Sequence, residues 1–237
     1  MTPDTLMILA AGRGTRMQHL TDDKPKPLIS VLGRTLLDRV VDQAVQAGMV
    51  HFIVNTCYKG KMIEDALSAR RDVSFSFSRE ETALETGGGV MHALPLILPT
   101  GSDGFFVANA DPLWVDKDIS LFARLAASWN PDTTDILLAL IPKEHAFGAV
   151  YSGDYFMEEK RPRRKRPDET AAPYLFTGVQ IIHPRVFQGI SPGVFSLVRL
   201  YDQAQRLGRL RAVIYDGDWY HVGTPQALAL TEERLRA

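Results

Sequence analysis

Short runs of apolar residues alternate, in the first half of the chain, with stretches in which apolar positions recur every three or four residues. The runs have the length of buried strands, and the periodic stretches are typical of amphipathic helices. Gly48 closes the first periodic stretch, as expected at a helix C-terminus. The predicted strands are residues 6–11, 52–55, 73–78 and 105–108, and the predicted helices are residues 36–47, 61–70 and 90–98.

The second half continues the alternation less regularly. It predicts helices at 118–128, at 196–207 and from Pro225 onward, and strands at 136–141, 147–151, 155–157, 174–182 and 211–215. Strands that alternate with helices predict an α/β fold with a mostly parallel sheet flanked by helices. Ligands of such folds bind at the carboxyl ends of the strands. A chain of 237 residues can form this as a single domain, residues 1–237.

Composition and charge exclude several classes of protein. Hydrophobic residues make up 45% and charged residues 23%, as in globular proteins in water, and no apolar run approaches the ~20 residues that span a bilayer. The N-terminus lacks the features of a signal peptide, and a single cysteine, Cys57, fits a reducing compartment. We therefore expect a cytoplasmic protein that does not bind membranes.

Nucleic acid is also an unexpected partner. The net charge is −1, which gives no general attraction for a polyanion. The charged run at residues 158–166 has no interleaved aromatic residues, so it favours a solvated hairpin over a nucleic-acid site. Nothing in the pattern fixes an oligomeric state.

The candidate chemistry begins where the first predicted strand ends. Gly12 and Gly14 flank an arginine there, Arg16 follows, and Lys26 comes ten residues later between two prolines. A glycine turn at a strand end lets backbone N–H groups approach a phosphate, and the two cations add positive charge. The segment therefore predicts a polyphosphate site.

Two common phosphate motifs do not fit this turn. The dinucleotide-binding pattern needs a third glycine where this chain has Met17, which disfavours a nicotinamide-dependent oxidoreductase. The P-loop needs a Gly-Lys-Ser/Thr sequence that does not follow here.

The pattern Leu-Ala-Ala-Gly-x-Gly-Thr-Arg-Met, followed by Lys-Pro-Lys-Pro-Leu, resembles the signature of sugar-1-phosphate nucleotidylyltransferases. The resemblance runs from Leu6 to residues 222–224 and implies a Rossmann-like mixed sheet. It also implies a nucleotide-binding half at 1–115 and a sugar-phosphate half at 116–237. The residues of the turn that it assigns to the nucleotide are Ala10, Ala11, Gly12, Gly14 and Thr15.

A second glycine-rich segment, Glu85-Thr86-Gly87-Gly88-Gly89, precedes the predicted helix 90–98. Three glycines in a row suggest the close approach of a ligand, and a helix N-terminus favours an anionic or polar one. By resemblance Glu85, Gly87 and Gly88 contact the base or sugar, with residues 78–81 beside them. The Glu-Thr-Gly-Gly-Gly form is most similar to the family's N-acetylmuramate-1-phosphate uridylyltransferases.

Asn109, which we expect to contact the nucleotide, and Asp111 follow the predicted strand 105–108. A carboxylate at this edge of the sheet can bind Mg²⁺ together with phosphate oxygens. In the resembled family this aspartate is a metal ligand and the residue before it is usually glycine, whereas this chain has Ala110.

On the sugar side, the resemblance assigns substrate contacts to Gly153, Asp154, Thr177 and Gly178. The family's second metal carboxylate falls where this chain has His221. Imidazole is a poor Mg²⁺ ligand, which leaves four alternatives: His221 holds a metal-bound water, Asp218 supplies the carboxylate, Asp111 acts with the phosphates alone, or His221 only packs against its neighbours.

The function predicted from these residues is nucleotidyl transfer from an NTP, UTP by resemblance, to a sugar-1-phosphate, N-acetylmuramate-1-phosphate by resemblance. The product would be a nucleotide sugar for cell-wall recycling. Lys26 would contact the α-phosphate, Arg16 the β- and γ-phosphates, and Asp111 would hold Mg²⁺. The alternatives are a mannose-1-phosphate or glucose-1-phosphate enzyme using GTP, dTTP or UTP, and a non-catalytic nucleotide sensor.

Overall fold

The computed structural model describes residues 3–148, 152–159 and 161–236. The predicted strand 147–151 lies only partly within these ranges, since residues 149–151 are outside the described residues. The helices of the described chain are α1 (Leu36–Gln46), α2 (Gly60–Ser68), α3 (Glu85–Ile97), α4 (Leu121–Ser128), α5 (Val198–Arg206) and α6 (Pro225–Arg236). α3 begins five residues before the predicted helix and takes in all three consecutive glycines.

The strands found in the described ranges form three sheets. They are β1 (Thr5–Leu9), β2 (Ser30–Val31), β3 (Arg34–Thr35), β4 (His51–Thr56), β5 (Phe75–Arg79), β6 (Phe105–Asn109), β7 (Pro112–Val115), β8 (Ile136–Pro142), β9 (Ala146–Phe147), β10 (Tyr155–Glu158), β11 (Arg161–Arg164), β12 (Tyr174–Ile182), β13 (Leu210–Ile214) and β14 (Asp218–His221). The predicted hairpin in the charged run is confirmed, because β10 and β11 pair antiparallel.

The main sheet is mixed and, in the described chain, contains nine strands. β6, β1, β4 and β5 lie side by side and parallel. β12 runs antiparallel to β6 on one side and to β8 on the other, and β13 pairs parallel with β8. The predicted mixed α/β sheet with flanking helices is confirmed. Its parallel part brings the ends of β1, β4 and β6 to one edge.

Both faces of the sheet are buried. Leu6 and Ile8 pack on the side of α1, and Met7 between them points to the side of α3, with none of the three side chains exposed. Side chains of a strand alternate between its two faces, so a strand covered on both sides needs a continuous apolar run. This explains why the first predicted strand has no polar alternation.

A third apolar cluster connects the segments around the end of β1. The small sheet β7-β14-β9 contributes to it, and so does the short 3₁₀ helix Thr15–Thr21. Its buried members are Met17, Ile29, Val31, Leu36, Leu113, Tyr220 and Val222. The cluster fixes the segment after the glycine turn to the strand that follows Asp111. In the part of the chain described here, no helix has the length and apolar content needed to cross a bilayer.

Candidate active site

The turn after β1 is shaped by Gly14 and packs on Lys26. Gly14 has a φ of 69°, in the left-handed region that L side chains rarely adopt. A Cβ atom added to Gly14 would stand 2.6 Å from Cβ of Lys26. The stem of the lysine therefore lies directly against the glycine backbone, and the two sequence motifs form one surface.

Asp111 reaches the same surface through the register of the sheet. β1 and β6 pair with Leu9 opposite Asn109, so the residues after these strands stand side by side. Nζ of Lys26 donates to Oδ2 of Asp111 at 2.6 Å. The lysine side chain is 7% exposed and the aspartate side chain 35%. The carboxylate therefore keeps an open side for another partner.

These groups line a cavity of about 250 Å³ at the carboxyl edge of the sheet. The predicted site residues in its wall are Ala10, Ala11, Gly12, Gly14, Lys26, Glu85, Asn109 and Asp111. Thr15 and Arg16 are exposed residues of the adjoining 3₁₀ helix and are not part of this wall. Residues distant in the chain thus converge on one concave surface.

His221 shares the electrostatic environment of this surface. It lies on β14 opposite Pro112, the residue after Asp111. Burial, and then the positive charge of Lys26, lower the pKa of His221 to about 4. Arg16 acts in the same direction and Asp111 opposes them. Arg16 therefore belongs to the same group of charges, and His221 carries a neutral imidazole near pH 7.

Asp218 does not join this group. It pairs with Val115, three positions along β14 from His221, and three strand residues span about 10 Å. Its carboxylate lies 3.3 Å from Nδ1 of His145. Across the described residues, no group of three or more His, Cys, Asp or Glu side chains is placed to hold a metal ion by itself. Of the predicted metal carboxylates, only Asp111 lies at the cavity.

Comparison with known proteins gives the family. The chain matches the MobA-like NTP transferase domain over residues 6–217. It belongs to that family. The prediction of a nucleotidyltransferase is therefore confirmed at the level of family and enzyme class.

Two relatives resemble this transferase over nearly their whole length. N-acetylmuramate alpha-1-phosphate uridylyltransferase of Caulobacter vibrioides is 37% identical over 238 residues, covering 98% of this chain and 97% of that protein. The enzyme of the same name from Neisseria meningitidis serogroup B is 34% identical over 231 residues, covering 92% of each. The inositol-1-phosphate CTP transferase from T. maritima shares the fold, with a TM-score of 0.77 at 19% identity over 100% of this chain and 96% of that one.

The glycine-rich start of α3 in this transferase packs on the segment that contains Gly193 and Phe195. The N–H groups of Gly87 and Gly88 both donate to the carbonyl oxygen of Phe195, at 2.8 and 3.0 Å. A Cβ on Gly87 would overlap the ring of Phe195, and one on Gly88 would overlap the carbonyl of Gly193. The close approach is therefore made by another loop of the chain. The predicted contact of Gly87 and Gly88 with a ligand stays a prediction, and neither residue is in the cavity wall, whereas Glu85 lines it.

Thr177 is a structural residue here. Its side chain is fully buried, and its hydroxyl donates to the carbonyl of Ala139 at 3.0 Å and accepts from the amide of Val179 at 3.2 Å. The fold therefore uses the hydrogen bonds of the hydroxyl, and the substrate contact predicted for Thr177 stays a prediction. Gly178 faces Asn109, whose Nδ2 would be 2.8 Å from an added Cβ.

Gly153 and Asp154 hold the base of the β10–β11 hairpin. Gly153 has a φ of 80°, and a Cβ there would overlap the carbonyl of Ala172. Asp154 accepts from the amide of Phe176 at 3.0 Å. The cavity wall contains neither residue, so a close backbone contact accounts for the glycine that was predicted to contact the sugar.

Three polar residues of the wall, Asn55, Glu80 and Thr86, were not predicted individually as site residues. Asn55 and Glu80 line the cavity and are only 2% and 7% exposed. Glu80 falls in the segment expected beside the base, but Asn55 was counted as part of a strand. Asn55 could have been recognised from the sequence, because it is an amide residue at the carboxyl end of an apolar run. Ligands of α/β sheets bind at that position.

Proposed function

We propose that this transferase catalyses the reaction of UTP with N-acetylmuramate-1-phosphate to give UDP-N-acetylmuramate and pyrophosphate. The observation that carries the reaction type is the meeting of Lys26 and Asp111 beside the glycine turn, in one cavity. The choice of substrates rests on the two relatives with that activity in their names, which match nearly all of this chain.

In the proposed reaction, a phosphate oxygen of the sugar-1-phosphate attacks the α-phosphorus of the triphosphate in line. The bond from the α-phosphorus to the oxygen bridging it to the β-phosphorus breaks, and pyrophosphate leaves with that electron pair. The attacking oxygen is already anionic at neutral pH, so the protein needs no general base. What it must supply is positioning and compensation of negative charge.

The charges of the cavity suit that task. The ammonium of Lys26 is held at the wall by Asp111 and would turn to the α-phosphate, while Arg16 at the rim would contact the β- and γ-phosphates. The amides of Gly12 and Gly14 would donate to phosphate oxygens. Because its pKa is about 4, His221 is neutral near pH 7 and adds no charge to this set.

The donor set at the cavity fits Mg²⁺. That ion commonly keeps several waters and binds one or two carboxylates together with substrate phosphates, and the 35% exposed carboxylate of Asp111 offers one such ligand. When bound, Mg²⁺ would neutralise charge on the triphosphate. Four alternatives were open for the second ligand. The contact between Asp218 and His145 favours the one in which Asp111 acts with the phosphates alone, because this contact keeps the carboxylate of Asp218 away from the cavity.

The test is a product assay that crosses UTP, GTP, CTP and dTTP with N-acetylmuramate-1-phosphate, glucose-1-phosphate and mannose-1-phosphate. The proposal expects the highest kcat/KM for UTP with N-acetylmuramate-1-phosphate, and product formation that stops when EDTA is added. A preference for another pair would overturn the substrates while keeping the reaction. Nucleotide binding without pyrophosphate release from any pair would indicate a sensor.

A further inference from the structure

Asn55 and Glu80 form a buried hydrogen-bonded pair in the floor of the cavity. Asn55 lies near the end of β4, and Glu80 follows the neighbouring parallel strand β5. Nδ2 of Asn55 donates to Oε1 of Glu80 at 2.6 Å, and the two residues are 2% and 7% exposed. A buried carboxylate is costly unless its oxygens are bonded, so this arrangement calls for an explanation.

Each member of the pair also binds one wall of the cavity. Oδ1 of Asn55 accepts from the amide of Ala10, where the glycine turn begins, at 2.8 Å. Oε2 of Glu80 accepts from the amide of Leu84, just before α3, at 3.0 Å. A continuous line of hydrogen bonds therefore crosses the floor from the glycine turn to the loop at residues 81–84.

The third glycine of α3 makes room for this line. A Cβ on Gly89 would stand 2.6 Å from Nδ2 of Asn55 and 2.8 Å from Oε1 of Glu80. The first two glycines are explained by Phe195 and Gly193. Of the three glycines, Gly89 is therefore the one that packs against residues of the cavity wall.

We propose that Asn55 and Glu80 are positioning residues that hold the glycine turn and the 81–84 loop at the separation that a nucleoside triphosphate requires. The identity of that ligand rests on the proposed function. The positioning role of the pair rests on its donors and acceptors. Each carboxylate oxygen of Glu80 accepts one N–H group, so both of its oxygens must be acceptors. Asn55 must accept with its oxygen on one side and donate with its nitrogen on the other.

This pattern permits a swap that preserves every bond. In Glu80→Gln, one of the two contacts becomes donor against donor whichever way the amide is turned. In Asn55→Asp, two carboxylates face each other. In the double variant, the new aspartate at position 55 accepts from Ala10 and from the new glutamine at position 80, whose oxygen accepts from Leu84. The formal charge equals that of the wild type.

We therefore expect non-additive effects on the KM for UTP. One buried donor left unsatisfied raises this KM roughly tenfold in Glu80→Gln, and Asn55→Asp raises it further. The double variant returns to within roughly threefold of the wild type, a coupling that only groups in contact show. The KM for the sugar phosphate should change less than the KM for UTP in every variant.

Glu64→Gln is the matched control. Glu64 is as buried as Glu80, at 8% exposed, and is bonded to Arg79 and Thr56, but it lies on α2 outside the cavity wall. The Glu64→Gln variant should have a lower free energy of unfolding than the wild type and the same KM for UTP. A rise in KM in this control as large as in Glu80→Gln would overturn the proposal, because loss of stability would then explain both.

Amide hydrogen exchange tests the pair without any substrate. The amides of Ala10 and Leu84 should exchange faster in Glu80→Gln and slowly again in the double variant. Unchanged exchange, or a double variant no better than the worse single variant, would overturn the proposal. If the wild type neither binds nor converts UTP, the proposed function fails, but the exchange pattern still decides whether the pair holds the two walls together.

Discussion

Nζ of Lys26 and Oδ2 of Asp111 are 2.6 Å apart, although 85 positions separate the two residues in the chain. The sheet explains the contact, because β1 and β6 are parallel neighbours and end together. The stem of Lys26 lies on Gly14, so its ammonium reaches the strand end at a fixed place. A cation held in this way is available to a phosphate without large rearrangement.

Lys26→Ala is therefore expected to lower kcat by roughly two orders of magnitude or more, since loss of one such fixed charge or donor commonly costs 10²–10³ in turnover. Stability should change little, because the 35% exposed carboxylate of Asp111 can be solvated. Steady-state kinetics and thermal unfolding measure the two quantities.

The control for this variant is Lys24→Ala, which removes the exposed lysine of the same Lys-Pro-Lys-Pro segment. It should retain nearly full turnover. Near-normal turnover in Lys26→Ala would show that Lys26 is not the cation that compensates phosphate charge.

Gly14→Ala should impair both the fold and the reaction. Alanine at the φ of 69° is strained by about 1–2 kcal/mol, and its Cβ would press on Lys26. We expect lower stability in urea and a loss of turnover of at least roughly tenfold, because displaced groups lose their alignment. Gly12→Ala is the comparison, since nothing lies within 4 Å of its added Cβ. Equal unfolding midpoints for the two variants would contradict the role given to Gly14.

The convergence of Gly14 and Asp111 could be predicted from the sequence for a physical reason. Each of them follows a buried apolar run, and parallel strands bring such ends to one edge. Lys26 lies instead on the short 3₁₀ helix Lys26–Leu28, and its place at the site was predicted from the resemblance of its motif. Strand periodicity is local and strong, so the α/β class, and with it the shared edge, followed from the pattern alone.

The glycines at 87–89 show why other parts of the site could not be predicted. A glycine run in the sequence says that a Cβ is not tolerated, but it does not say which atoms fill the space. Here the space next to Gly87 is filled by Phe195, more than a hundred residues later. At Gly153 the corresponding space is filled by Ala172. Contacts between distant loops depend on tertiary packing that periodicity does not encode.

Thr177→Val tests the structural role given to Thr177. The change removes a buried donor to Ala139 and an acceptor for Val179, which should lower the free energy of unfolding by about 2 kcal/mol. Thr177→Ser keeps the hydroxyl and should lose less. Both variants should keep the wild-type KM for the sugar phosphate. A selective rise of that KM in Thr177→Val, with stability unchanged, would support the substrate contact predicted from the sequence.

The ion pairs of Asp135, which lie outside the cavity, should make the stability of the fold depend on pH. The side chain of Asp135 is 9% exposed, and Oδ1 lies 2.6 Å from Nε of Arg185 and 2.7 Å from Nε of Arg209. Burial of the carboxyl opposes ionisation, but the hydrogen bonds from Arg209 and Arg185 outweigh it and hold the pKa of Asp135 below its ordinary value of 3.8. Below that value the unfolded chain binds a proton that the folded chain does not, so acidification favours unfolding.

The contribution of this carboxylate to stability should therefore be complete above about pH 4 and disappear as the pH falls through the folded-state pKa. Asp135→Asn should lower the free energy of unfolding near pH 7 by about 2 kcal/mol, toward the low end for a buried pair because both guanidinium groups are about one third exposed. Urea unfolding, measured at intervals of about one pH unit between pH 3 and pH 7, should then show a smaller loss of stability in acid for Asp135→Asn than for the wild type. Asp168→Asn removes the same charge from an exposed position and should follow the wild-type curve. Parallel curves for Asp135→Asn and the wild type below pH 4 would mean that the arginine pair does not stabilise the ionised carboxylate.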